Sequence, residues 1–217
     1  MNCSYSYPNS LMTRKGFIRV TGTGAVKAVP DTAIVSLGIV TENAILENAR
    51  RENAVRTNTV VNALASMGIE KKDISTGAFS IDPIYDYIDG RQTFKGYRIS
   101  NILTVTIEDI AKAGEIIDKA TFAGANRIDN VSFTLSDITR YYDEALKLAV
   151  LNALHKAVEI GSTLDVQVDE IPFKIVEKSD GAQLFTASAA KLAAPSTPMM
   201  PGQLEITSAI VAVIGYK

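Results

Sequence analysis

Few residues of this chain have types and spacing that could do chemistry, and they are far apart. Gly22-Thr23-Gly24 follows an apolar stretch, as a dinucleotide-binding loop would. That fingerprint needs a third glycine three positions on, at the mouth of a helix whose amides face the pyrophosphate. Position 27 is Lys27, and Val29-Pro30-Asp31 then leads into a β-branched segment rather than a helix. Glu42 lies near the distance of a ribose-binding acid, but carboxylates are too common to count. The glycines are expected to serve a bulge or a tight backbone approach in a strand.

The other candidates are weaker. His155 is the single histidine and sits mid-helix between Ala153 and Ala157, and no serine occupies a Gly-x-Ser-x-Gly elbow. Cys3 is the single cysteine, so the chain has no internal disulfide and lacks the nitrogen and sulfur ligands that zinc prefers. Asp82, Asp86 and Asp89 cluster but lack the glycine and terminal glutamate of a calcium loop. No catalytic residue, metal site or cofactor is implied. The most suggestive local composition is Tyr85, Tyr87, Arg91, Phe94, Lys95, Tyr97 and Arg98 around Asp89-Gly90. Tyrosine and arginine combine apolar area with directional hydrogen bonds, so Tyr85, Tyr87, Arg91, Tyr97 and Arg98 form a candidate interaction surface.

Bulk properties narrow the classes further. Of 217 residues, 47% are apolar and 21% charged, enough to build a core, and the formal charge of −2 gives no general attraction to nucleic acid. The densest basic groups are pairs (Arg14-Lys15, Arg50-Arg51, Lys71-Lys72), not the stripe of a nucleic-acid reader. No run approaches the ~20 apolar residues of a membrane span. Residues 1–16 are polar and Tyr/Ser/Asn-rich, and read as a disordered arm without signal-peptide features. As it stands the sequence therefore reads as cytoplasmic, with the cell envelope as the alternative if a leader has been removed.

These residues must be positioned by strands and long helices. Alternation predicts strands at 17–29, around 131–135 and from Leu204 to the end, and β-branched, aliphatic composition one at 32–41; 73–82 and 171–176 are further strand candidates. Asp89-Gly90 predicts a hairpin between 84–88 and 93–107. Helical spacing runs from Glu42 to Met67, ended by Gly68, with Asn53 interrupting the apolar face as a buried amide bonded to backbone. A second helix follows the cap Asp109 and ends near Gly124. A third covers 138–161, where Ala145, Ala149, Ala153 and Ala157 make a small-residue ridge for close approach to a neighbour. Residues 179–202 read as a long mobile connection. The expected class is α+β, a mixed or antiparallel sheet with long amphipathic helices packed on it. A helix-glycine-strand echo at 65–81 and 120–135 suggests two modules, 17–108 and 109–217, within one domain over 17–217.

Taken together, "VTGTGAVKAVPDTAIVSLGI", "NALASMGIEKKDISTGAFSIDPIYDY", "GYRISNILTVTI", "AGANRIDNVSFTLSD" and "TPMMPGQLEITSAIVAV" resemble the SIMPL-domain family in order and spacing. The most specific parts are Gly-x-Gly followed by Pro-Asp, Lys-Asp-Ile-x-Thr, and Gly-Tyr-x-x-Ser-Asn. The resemblance implies an α+β fold without established catalytic residues. It also implies bacterial envelope or secreted proteins, some linked to oxidative-stress tolerance and some forming ring-like homo-oligomers. The leading expectation is a non-enzymatic, self-assembling protein, with the alternating C-terminal strand suited to pairing across subunits. The alternatives are a small-molecule or peptide binding module, with a groove beneath 179–202, and a hydrolase using Asp82 and Asp86.

Overall fold

The computed structural model describes residues 16–178, 183–187 and 200–217. In chain order the elements are β1 (Gly16–Ala28), β2 (Thr32–Asn43), α1 (Leu46–Ser66), β3 (Ile74–Ile88), β4 (Arg91–Ile107), α2 (Ala113–Phe122), β5 (Arg127–Thr134), α3 (Ile138–Thr163), β6 (Lys174–Glu177), β7 (Gln183–Ala187) and β8 (Gln203–Tyr216). The fold is α+β, with the strands in two four-stranded sheets. They fall into two compact units. One takes its described residues from 16–28, 139–185 and 205–217, and the other from 29–138, 186–187 and 200–204.

The first unit answers the question posed by Gly22-Thr23-Gly24. Along β1 the even-numbered residues Ile18, Val20, Gly22 and Gly24 are buried while Phe17, Arg19, Thr21 and Thr23 are exposed. On α3 the buried positions are Ala145, Ala149, Ala153, Ala157 and Gly161, the expected ridge four residues apart. A Cβ on Gly22 would stand 2.0 Å from the Ala149 carbonyl oxygen, and one on Gly24 2.0 Å from that of Ala145. The glycines and alanines are thus one feature, a strand and a helix touching backbone to backbone. Asn152 Oδ1 accepts from the Thr23 amide at 3.1 Å, and Lys156 donates to the Thr21 carbonyl at 2.9 Å. The helix thereby supplies hydrogen-bond partners to backbone groups of β1. Ile18 and Val20 pack with Ile210, Ala212 and Ile214 of β8 in the core of this unit.

β8 lies between β1 and β6, and β7 also pairs with it. The C-terminal strand therefore spends its hydrogen bonds inside its own sheet, and the expectation that it pairs across subunits is corrected. The strand expected at 171–176 is confined to Lys174–Glu177. Of the expected connection 179–202, residues 183–187 form β7, and 179–182 and 188–199 lie outside the described residues, as do Cys3 and the arm up to residue 15. Tyr142 of α3 donates to the Glu177 carboxylate, which raises its phenol above the ordinary tyrosine value.

In the second unit the sheet order is β3-β4-β2-β5, antiparallel throughout. Val35, Leu37 and Ile39 of β2 and Leu103, Val105 and Ile107 of β4 form the core with Val60 and Leu64 of α1 and Ile116, Ile117 and Ala120 of α2. α1 and α2 end in the same hydrogen-bond pattern. Gly68 N bonds Ala65 O at 3.0 Å and Ile69 N bonds Leu64 O at 3.2 Å; Gly124 N bonds Thr121 O at 3.1 Å and Ala125 N bonds Ala120 O at 3.0 Å. This shared ending is the physical content of the helix-glycine-strand echo. After the second one, the Asn126 side chain both accepts from and donates to the Val40 backbone at 2.8 Å, extending the ladder just before β5 begins.

Asp31, from the Pro-Asp pair of the family motif, closes the far end of this sheet. Its carboxylate accepts from the Ser136 amide at 2.7 Å and the Ser136 hydroxyl at 2.8 Å, and its amide donates to Thr134 O at 3.2 Å. Desolvation pushes the Asp31 carboxyl upward, but the bonds from Ser136 and Thr32 outweigh it and hold the group below its ordinary value. A depressed carboxyl contributes stability that is present above its unfolded value, and this is lost as pH falls through the folded one.

Two predictions follow from these contacts. Gly22→Ala should cost roughly 2–3 kcal/mol in chemical denaturation, because the added methyl meets a helix carbonyl that cannot move alone. In Asp31→Asn the stability deficit relative to wild type should shrink as denaturation is repeated from about pH 6 down to pH 2. A deficit constant across that range would remove the role assigned to the charge.

Candidate interaction surface and groove

β3 is the edge strand of its sheet and is exposed along nearly its whole length. It runs unbroken through Pro83, where the sequence suggests a change of element. Proline is tolerated within an edge strand because its missing amide can face away from the ladder. The Asp89-Gly90 turn forms as expected, with positive φ at both residues (48° and 74°) joining β3 to β4.

The register decides which hairpin side chains share a face. Opposite residues of an antiparallel pair project to the same side. Phe79 pairs with Asn101, Ile81 with Ile99, Pro83 with Tyr97, Tyr85 with Phe94 and Tyr87 with Gln92. Lys95 is an extra residue in β4, so the alternation changes phase between Phe94 and Tyr97. Gly96 makes room for this bulge. Its φ is +154°, and a Cβ there would lie 2.6 Å from the Asn43 carbonyl oxygen. As a result Tyr85, Phe94 and Tyr97 stack edge to face, with centroids 5.8 and 5.3 Å apart.

Of the five residues expected to form one surface, the structure therefore gathers Tyr85, Tyr87 and Tyr97 on one face. Arg91 pairs with Ile88 and Arg98 with Asp82, on the other. Arg98 is bound there to Glu42 at 2.7 Å. Asp86 pairs with Lys95 at 3.2 Å and Asp82 accepts from Ser80 at 2.8 Å, each exposed and each engaged locally. His155 is an exposed side chain on α3. Among the described residues no group of three or more His, Cys, Asp or Glu side chains is arranged to hold a metal ion.

The aromatic row continues on the face that α1 covers elsewhere. Phe79 (56% exposed), Ile81 (40%), Tyr85 (46%) and Tyr87 (76%) lie along β3, with Phe94 (49%) beside them. Between this row and α1 runs a groove of about 490 Å³, lined by Arg50, Arg51, Ala54 and Asn58 of α1 and by Phe79, Ile99 and Asn101 of the sheet. The only carboxylate on its wall is Glu47, 3.6 Å from Arg50. Arg51 is held by Asn48, which accepts from it at 2.8 Å.

A chain of amides fixes the groove floor. Asn53, buried as expected, donates to Ile39 O at 2.8 Å and to Ile99 O at 3.4 Å. Its Oδ1 accepts from the Thr57 hydroxyl, whose oxygen accepts in turn from Asn101 Nδ2 at 3.1 Å. Thr41 adds a bond to Ala49 O at 3.0 Å. These contacts lock α1 onto the sheet. The groove itself could not be read from sequence, because Arg50-Arg51 looks like any solvated pair until Phe79 and Asn101 are brought opposite it.

The architecture is thus an α+β fold with two compact units, each built around its own sheet. The chain belongs to the SIMPL family, a protein family of unknown function (DUF541), whose model matches residues 18–214. It is 30% identical over 173 residues to a "26 kDa periplasmic immunogenic protein" of Brucella melitensis biotype 1, covering 77% of this chain and 69% of that one. It is 34% identical over 145 residues to the "Uncharacterized protein YggE" of Escherichia coli K12, covering 67% of this chain and 59% of the relative. No described helix is long and apolar enough to cross a membrane.

The two kinds of polar contact on this unit should separate cleanly by mutation. Asn53→Ala leaves two strand carbonyls without their donor and should cost roughly 1–3 kcal/mol. Arg98→Ala breaks an exposed pair and should cost under about 1 kcal/mol. Chemical denaturation of both variants checks the contrast.

Proposed function

We propose that this is a non-enzymatic, self-assembling protein of the cell envelope with a protective or scaffolding role under stress. The observation that carries the assembly reading is the row Phe79, Ile81, Tyr85 and Tyr87 on one face of the exposed edge strand β3, with Phe94 of β4 beside it. Contiguous apolar surface rimmed by polar residues marks contact sites, and an edge strand offers unpaired backbone beside it. The printed name of the Brucella relative supports the envelope rather than the cytoplasm. The stress role rests on the family resemblance.

Asp82 and Asp86 support no hydrolase, since both are exposed and bound to neighbours of their own hairpin. A binding module is the second reading, favoured by the groove beside α1 rather than by any site near 179–202.

Light scattering of the wild-type chain should give a defined species well above 23.3 kDa. Ile81→Lys with Tyr87→Lys should shift it toward monomer with an unchanged circular dichroism spectrum. A clean wild-type monomer at high micromolar concentration removes the assembly reading.

A further inference from the structure

We propose that the groove between α1 and β3 is a binding site for a carboxylate carried on an apolar body, with a hydrogen-bond donor between the two. The inference goes beyond self-assembly. The groove's volume of about 490 Å³ lies in the range of small-molecule sites. Ala54 and the half-exposed Phe79 ring offer apolar contact, so an inorganic anion would leave most of the groove unfilled.

The rim selects charge. Arg50 and Arg51 both line the groove, and Arg51 has no carboxylate partner among the described residues. Its bond to Asn48 uses one Nη and leaves other N–H groups of a planar fork, the geometry that recognises carboxylates bidentately. Glu47 engages only Arg50, at 3.6 Å.

The wall selects a donor. Asn101 Oδ1 is buried and has no hydrogen-bond partner. The amide cannot be turned to relieve this. Asn53 must use its Nδ2 on Ile39 O, so its Oδ1 takes the Thr57 proton, and Thr57 Oγ1 is then left to accept from Asn101 Nδ2. The chain of bonds ends in an unfilled acceptor on Asn101, a residue that lines the groove, and buried acceptors of this kind are rare unless something meets them. An N–H or O–H beside the apolar body of the ligand does so.

The test is titration calorimetry on the full chain with N-acetylphenylalanine, N-acetylphenylalanine amide, hydrocinnamate, phenyl phosphate and the peptide Ac-Ala-Ala-Phe. The carboxylate should bind about tenfold or more tighter than its amide. It should also bind tighter than hydrocinnamate, which lacks the donor. Arg51→Gln should weaken it about tenfold with unchanged Tm, while Arg98→Gln on the opposite face should not. Phe79→Ala should weaken all ligands. Tighter binding of the peptide than of N-acetylphenylalanine assigns the carboxylate to a peptide C-terminus, and the reverse to a free acid. Equal binding of carboxylate and amide, stronger binding of phenyl phosphate, no heat at millimolar ligand, or an unaffected Arg51→Gln overturns the proposal.

Discussion

At Gly22 and Gly24 nothing stands between a helix and a strand except their own main chains. That constraint organises the first unit. α3 can come so close only because its facing positions are alanines four residues apart, and β1 only because its side chains shrink from Ile18 and Val20 to nothing. Close approach puts Asn152 and Lys156 within reach of strand polar groups, so the packing and the hydrogen bonds arise together. A residue pattern that resembles a phosphate loop is instead the mould of a helix.

The second unit solves the same problem, fixing a helix on a sheet, with polar chemistry. Asn53 and Thr41 carry bonds from α1 to β2, where an apolar stripe alone would leave α1 free to slide. Well-satisfied buried amides specify position more sharply than aliphatic contact does. The groove is a by-product of that seat. α1 lies over β2 and β4, and β3 extends past it with its aromatic row uncovered.

Much of this was legible in the sequence, for physical reasons that differ by element. Alternation marked β1 and β8, because one face of each is the more deeply buried, and β-branched, aliphatic composition marked the central strand β2. The alanine spacing marked α3's contact side, and Asp89-Gly90 marked its turn. The failures came where one residue changes the phase or context of many. Lys95 is inserted without any compositional mark, yet it brings Phe94 to the side of Tyr97 and sends Arg91 to the other. Pro83 looked like a boundary because its tolerance depends on being at an edge, which only the sheet order reveals. The alternating pattern of β8 said that it is a strand, but not that both its sides are taken.

The order of segments along the chain has its own consequence for synthesis. Most of the second unit is the continuous stretch 29–138, with a later contribution from the described residues of 186–204. The other unit is split, with β1 at one end of the described chain and β8, the strand between β1 and β6, at the other. On the ribosome β1 must therefore wait, its glycine face uncovered, until α3 has been translated, and its sheet partner β8 follows only at the end of the described chain.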